Sequence, residues 1–197
     1  MKITEMYVYC LSSWFVNLVC GNRICWFYGI WQDNYIKVPE EPHFVFKEGL
    51  PPVNFVNTID KSVHNVAVID DLMTELQSKE GEVVLKLFTR GSHHANLTVI
   101  LITQNLFFKT GREYRLNSHY LTLFKNPVDM SIVSSMSKQM FHGNKKAAET
   151  FREVYEQATS EQRSYLFISI KTGTPVSLRF RSNVFGEGPQ IAFSITA

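Results

Sequence analysis

Only three cysteines occur among the 197 residues, all between Cys10 and Cys25 and none in a Cys-x-x-Cys pair. That count and spacing exclude a disulfide-stapled scaffold, argue against a structural zinc site, and suit a reducing compartment. No apolar run reaches about 18 residues, so no membrane-spanning helix is expected. Seven prolines and ten glycines are too few for collagen-like or low-complexity chains. Charge is also sparse, at 19% of residues and a net +2, which leaves neither a polybasic tail nor an acidic one. Its distribution is uneven: residues 1–100 carry 8 basic and 11 acidic side chains, residues 101–197 carry 12 and 7. A mildly basic second half suits either a polyanionic partner or an ordinary solvated surface. Lys2 followed by the apolar stretch Met6–Cys20 imitates a secretory leader, but Glu5, Ser12, Ser13 and Asn17 interrupt it. An intracellular protein is therefore expected, with the nucleus or a virion included.

Against those absences stands a hydrophobic fraction of 45%. A chain of this length buries roughly 70% of its extended surface when folded, enough for one domain or two small ones. Val66-Ala-Val-Ile69, Leu97–Thr103 and Tyr120–Phe124 read as buried strands, and Ile24–Tyr28 and His43–Phe46 as shorter ones. Leu72, Leu76, Val83 and Leu87 share one helical face, interrupted near Gly81. Asn126-Pro127 with Asp129 predicts a helix start, and Val128, Ile132, Met136 and Met140 extend that helix to about Met140. Ala147, Phe151, Val154 and Ala158 mark another helix, and Trp14, Phe15, Leu18 and Val19 a short one. Ser164–Ile170 and Ser177–Arg181, around the turn at Thr172-Gly-Thr-Pro175, predict a terminal antiparallel hairpin. Strands alternating with helices predict an α/β fold with a mostly parallel sheet.

The run Val66 to Asp71, four apolar residues ending in two carboxylates, has the form of a Walker B strand. In such a strand the first carboxylate supports magnesium beside nucleotide phosphates, and the second orients or deprotonates the attacking water. The same residues also suit a helix cap before Leu72. The next strand ends in Gln104-Asn105, and an amide there would sense the γ-phosphate or the water, or else tie the loop together. Both tips belong at the carboxyl edge of a parallel sheet, where open α/β folds bind ligands. His93-His94 has no third metal ligand at a suitable spacing. Arg112/Arg115 and Lys145/Lys146 are candidates for phosphate contacts or for solvated surface.

Several segments in order resemble the genome-packaging ATPases of the FtsK/HerA superfamily, in particular those of adenovirus-like elements and Maverick/Polinton transposons. They are Ile69-Asp-Asp-Leu-Met73, Leu87-Phe-Thr-Arg-Gly-Ser-His-His94, Val99-Ile-Leu-Ile-Thr-Gln-Asn-Leu-Phe107, Leu116-Asn-Ser-His-Tyr120 and Phe124-Lys-Asn-Pro127. Trp26-Phe-Tyr-Gly-Ile-Trp-Gln32, Val45-Phe-Lys-Glu-Gly-Leu50, Tyr165-Leu-Phe-Ile168 and Arg179-Phe-Arg-Ser-Asn183 fit the same pattern. The resemblance covers about residues 12–185. It implies a P-loop (ASCE, RecA-like) fold of strand order 5-1-4-3-2, assembled as a homo-oligomeric ring that drives double-stranded DNA by ATP hydrolysis. By position it implies Asp70 for magnesium, Asp71 for activating water and Gln104 as sensor.

One element of that family is absent. A P-loop needs G-x-x-x-x-G-K-[ST], and none of the ten glycines precedes a lysine. By resemblance Ser12 stands at the hydroxyl position of that motif, with Leu11 in place of its lysine and Cys10 in place of its second glycine. The expectation is a segment foreign to the family at 1–11, a partial packaging-ATPase-like domain at 12–185 and a tail at 186–197. Its first strand and phosphate cradle would be missing, or the strand replaced by Tyr7-Val-Tyr-Cys10. ATP and magnesium are the implied cofactors, and little or no hydrolysis is expected. The alternatives are a non-catalytic module that binds a ring or DNA, and a truncated reading frame without function.

Overall fold

The computed structural model describes residues 23–33, 35, 44–91, 95–186 and 188–195. The expectations for Ser12, for the strand at Tyr7–Cys10, for the helix at Trp14–Val19 and for His93-His94 lie outside them. The chain divides into two compact units, Met1–Asn117 and Ser118–Ala197.

In the first unit, β1 (Arg23–Tyr28), β2 (Phe44–Glu48), β3 (Asn65–Asp70) and β4 (Leu97–Ile102) form a parallel sheet of order β2-β1-β3-β4. β3 is buried at all six positions, as a central parallel strand covered on both faces should be. Successive side chains leave opposite faces of a strand, so β3 feeds two cores. Ala67 and Ile69 join Phe27, Phe55, Leu72 and Leu76 on one side. Val66 and Val68 join Ile24, Trp26 and Tyr35 on the other. Each fully buried Ile or Leu contributes about 1.5–3 kcal/mol.

Short helices cover the first core: α1 (Phe55–Thr58), α2 (Met73–Leu76), α3 (Glu82–Lys86) running into a π-turn at Leu87–Gly91, and α4 (Gly111–Asn117). The interruption expected near Gly81 is present. A Cβ on Gly81 would lie 2.6 Å from the carbonyl oxygens of Glu75 and Leu76, so only glycine lets the chain turn back against the end of α2.

The register is in phase across the sheet. Tyr28 lies beside Asp70, and Asp70 beside Ile102, so these strands end at one edge. Beyond β1 the chain passes so close to the end of β3 that Gly29 N–H donates to the Asp70 carbonyl at 3.1 Å. Among the described residues β4 has no strand on its outer side.

The second unit holds a separate antiparallel sheet of order β5-β6-β7-β8, from β5 (Tyr120–Phe124), β6 (Tyr165–Ser169), β7 (Phe180–Ser182) and β8 (Ile191–Phe193). Tyr120–Phe124 therefore corrects one expectation: it pairs antiparallel with β6 and is no part of the parallel sheet. The expected hairpin is the centre of this larger sheet. Its second arm begins later than expected, because Val176–Leu178 after Pro175 forms a 3₁₀ turn. Residues 191–193, in the segment read as a tail, form an edge strand.

Helix α5 (Ser131–Phe141) and helix α6 (Lys145–Ala158) form a hairpin whose Phe141 and Phe151 rings pack against Phe180 of the sheet. The Tyr155 hydroxyl donates to the Phe124 carbonyl at 2.9 Å and accepts from Asn126 N–H at 3.0 Å, fixing α6 to the end of β5. Helix α5 starts later than Asn126-Pro127 suggested. The Asn126 side chain accepts from the amides of Val128 and Asp129, and Asp129 accepts from Ser131. These local turns use the acceptors that a cap would need, and Val128 is left 87% exposed.

Candidate functional site

The carboxyl edge of β3 and β4 brings together three of the four residues singled out from the sequence. Asp70 is the last residue of β3, Asp71 follows it, and Gln104 lies two residues beyond β4. Gln104 Nε2 donates to Asp71 Oδ1 at 3.5 Å, a long contact on the solvent side. Ser12 lies outside the described residues.

The two carboxylates have opposite environments. Asp70 continues the Val66, Val68 alternation and so points into the aromatic core, where it is 2% exposed. Its Oδ2 accepts from the Tyr35 hydroxyl at 2.6 Å and from Trp26 Nε1 at 3.2 Å. Burial pushes the Asp70 carboxyl above the usual carboxylate range, against the lowering effect of those two donors, and the neighbouring Asp71 charge adds to the rise. Burial and the bond to Asp70 likewise hold the Tyr35 hydroxyl well above the ordinary tyrosine range, so it remains a donor.

Asp71 is half-buried and has left the strand. Its φ of 53° lies in the left-handed region, which Asp tolerates better than most residues. That turn carries its side chain out of the strand's alternation toward Gln104. Helix α2 follows with Leu72 at its N-cap position and no side-chain cap, so neither carboxylate serves as the helix cap considered from the sequence.

A magnesium ion held at Asp70 would need an oxygen facing open space. Oδ2 instead faces two protein donors beneath an aromatic layer that includes Phe46, stacked on Tyr35 at 5.4 Å between centroids. Those two bonds engage Oδ2 alone. Among the described residues no group of three or more His, Cys, Asp or Glu side chains could hold a metal. What the edge can do chemically is narrower: Asp71 and Gln104 present an acceptor and an amide to solvent, enough to orient a water or a small polar group.

Trp26 and Tyr35 are the residues that sequence reasoning missed. They lie 44 and 35 positions from Asp70, with no local pattern to connect them. The aromatic density of residues 26–35 was the available signal.

No family model, curated protein or solved structure matches this chain. The chain is an α/β protein with a four-stranded parallel sheet and a separate antiparallel sheet. Among the described residues no helix is long and apolar enough to cross a membrane.

Proposed function

We propose that this chain is a partial domain of the FtsK/HerA packaging-ATPase type that keeps the Walker B edge and does not hydrolyse ATP by itself. The observation that carries the reading is the approach of Gln104 to Asp71 at the in-register tips of adjacent parallel strands. The spatial run β4-β3-β1 also matches the run 4-3-2 of the family order, while β2 on the far side of β1 has no counterpart in that order. Among the described residues it stops at the outer side of β4, where that order places the strand leading into the P-loop. One feature supports the loss of turnover: no Gly-Lys pair occurs in the 197 residues, so the phosphate-cradling motif is missing. ATP, magnesium, double-stranded DNA and a ring of identical subunits belong to this reading as ligands and partners of intact relatives.

The test is calorimetric titration of the purified chain with magnesium-ATP, together with phosphate release and thermal unfolding. The expected result is a cooperative unfolding transition with no magnesium-dependent heat and no phosphate release. Turnover abolished by Asp71→Asn would overturn the loss of activity. An experimental structure with β4 antiparallel to β3, or with another strand between them, would overturn the lineage.

A further inference from the structure

The hairpin of α5 and α6 breaks a local rule. The first turn of α6, the longest helix described, contains Lys145 and Lys146 and no acidic residue. Cations there oppose the helix macrodipole, and a fold that tolerates such a local cost commonly does so at a functional place. Lys145 also lines a groove of about 460 Å³ formed by residues of the two helices. Met130, Val133 and Ala148 supply apolar surface to this groove, and Lys138, Lys145 and Arg152 line it with three cations against the single carboxylate of Glu149. The positions recur every three to four residues, so each helix contributes one continuous face. Arg152 bonds Glu156 at 3.0 Å, but both side chains are more than half exposed, and such a pair yields readily to a better anion.

We propose that this groove docks an acidic amphipathic segment of a partner protein. The partner's apolar side chains would seat against the half-buried Met130 and Ala148, and its carboxylates would meet Lys138, Lys145 and Arg152. Charge complementarity sets the sign of the partner. The apolar lining favours a helix laid in a groove over a phosphate backbone, which has no apolar side chains to seat there. The proposal is independent of any ATPase ancestry.

The probe is a synthetic peptide of about fourteen residues, roughly four helical turns, with leucines along one helical face and glutamates elsewhere. A lysine version of the same peptide and a short DNA duplex serve as comparisons. Binding to the full chain is followed by fluorescence anisotropy at low salt. The glutamate peptide is expected to bind and the lysine peptide not. Reversing the three cations together (Lys138→Glu, Lys145→Glu, Arg152→Glu) should weaken binding by about tenfold or more. Ala148→Trp, which fills the groove without touching a charge, should weaken it as well. Lys145→Gln alone, on an exposed side chain, should weaken it measurably with no fall in melting midpoint, which separates docking from folding. Failure of the glutamate peptide to bind, equal binding of the lysine peptide, binding of the duplex in its place, or indifference to Ala148→Trp would each overturn the proposal.

Discussion

Removing the Tyr35 hydroxyl should cost more while Asp70 can ionise than when it cannot. In the native chain a carboxylate that is 2% exposed has one oxygen satisfied by two donors, the closer being Tyr35 at 2.6 Å. A hydrogen bond to a buried charge is worth about 1.5–3 kcal/mol, and a neutral one about 1 kcal/mol. Tyr35→Phe should therefore destabilise the chain by about 2 kcal/mol at a pH where Asp70 is ionised, a fall of about 4–8 °C in melting midpoint for a protein of this size. In an Asp70→Asn background, where the acceptor is neutral, the same substitution should cost about 1 kcal/mol. The coupling energy of the double-mutant cycle is then about 1 kcal/mol.

The pH dependence follows from the direction of the Asp70 shift. A carboxyl whose folded pKa is raised binds its proton more tightly in the native state than in the unfolded one. Its contribution to stability is therefore greatest at low pH and falls as pH climbs from the unfolded value of about 4 through the raised folded value. Asp70→Asn, which cannot ionise, should gain on the native chain across that interval. Urea unfolding of the four proteins at several pH values measures all of this. A Tyr35→Phe cost below about 0.5 kcal/mol, an additive cycle, or an Asp70→Asn difference that does not change with pH would refute the reasoning.

Other consequences are simpler to read. Gly29→Ala would place a Cβ 2.4 Å from the Asp71 carbonyl oxygen, and backbone cannot yield as a side chain tip does. A loss of about 3 kcal/mol in urea unfolding is expected, and one under about 1 kcal/mol would argue against that close approach. Asn144 caps α6 by accepting from Ala147 N–H at 3.2 Å, so Asn144→Ala should cost about 1 kcal/mol while Asn144→Asp costs little. Lys145→Glu should stabilise α6 by a few tenths of a kcal/mol, seen as a small rise in melting midpoint, because it reverses an unfavourable charge at the helix start. If the groove docks an acidic segment, that same stabilised variant should bind the glutamate peptide less well.

Local pattern carried much of the first unit. A strand buried on both faces has to be a continuous apolar run, so β3 and β4 were legible in Val66–Ile69 and Leu97–Thr103. Their common polarity was legible as well, because helical periodicity lies between them. The end of α6 at Ala158 and the break at Gly81 were likewise written into spacing and glycine placement. The tips Asp71 and Gln104 were legible because strands of matching length in one parallel register end together.

Partner choice over long separations was not legible. Tyr120–Phe124 is apolar enough for either sheet, and periodicity does not say which neighbour a strand takes; only the packing of β6 beside it made it antiparallel. The start of α5 turned on whether Asn126 caps a helix or closes its own turn, a contest between two local hydrogen-bond patterns of similar energy. Asp70 is the sharpest case. The sequence determined that an acid ends β3, and alternation along that strand sends it to the Val66, Val68 face. What the carboxylate would meet on that face depended on where the chain after β1 returns. Tertiary structure alone set the Trp26 indole and the Tyr35 hydroxyl against that carboxylate, because a buried charge is stable only where donors from distant segments converge on it.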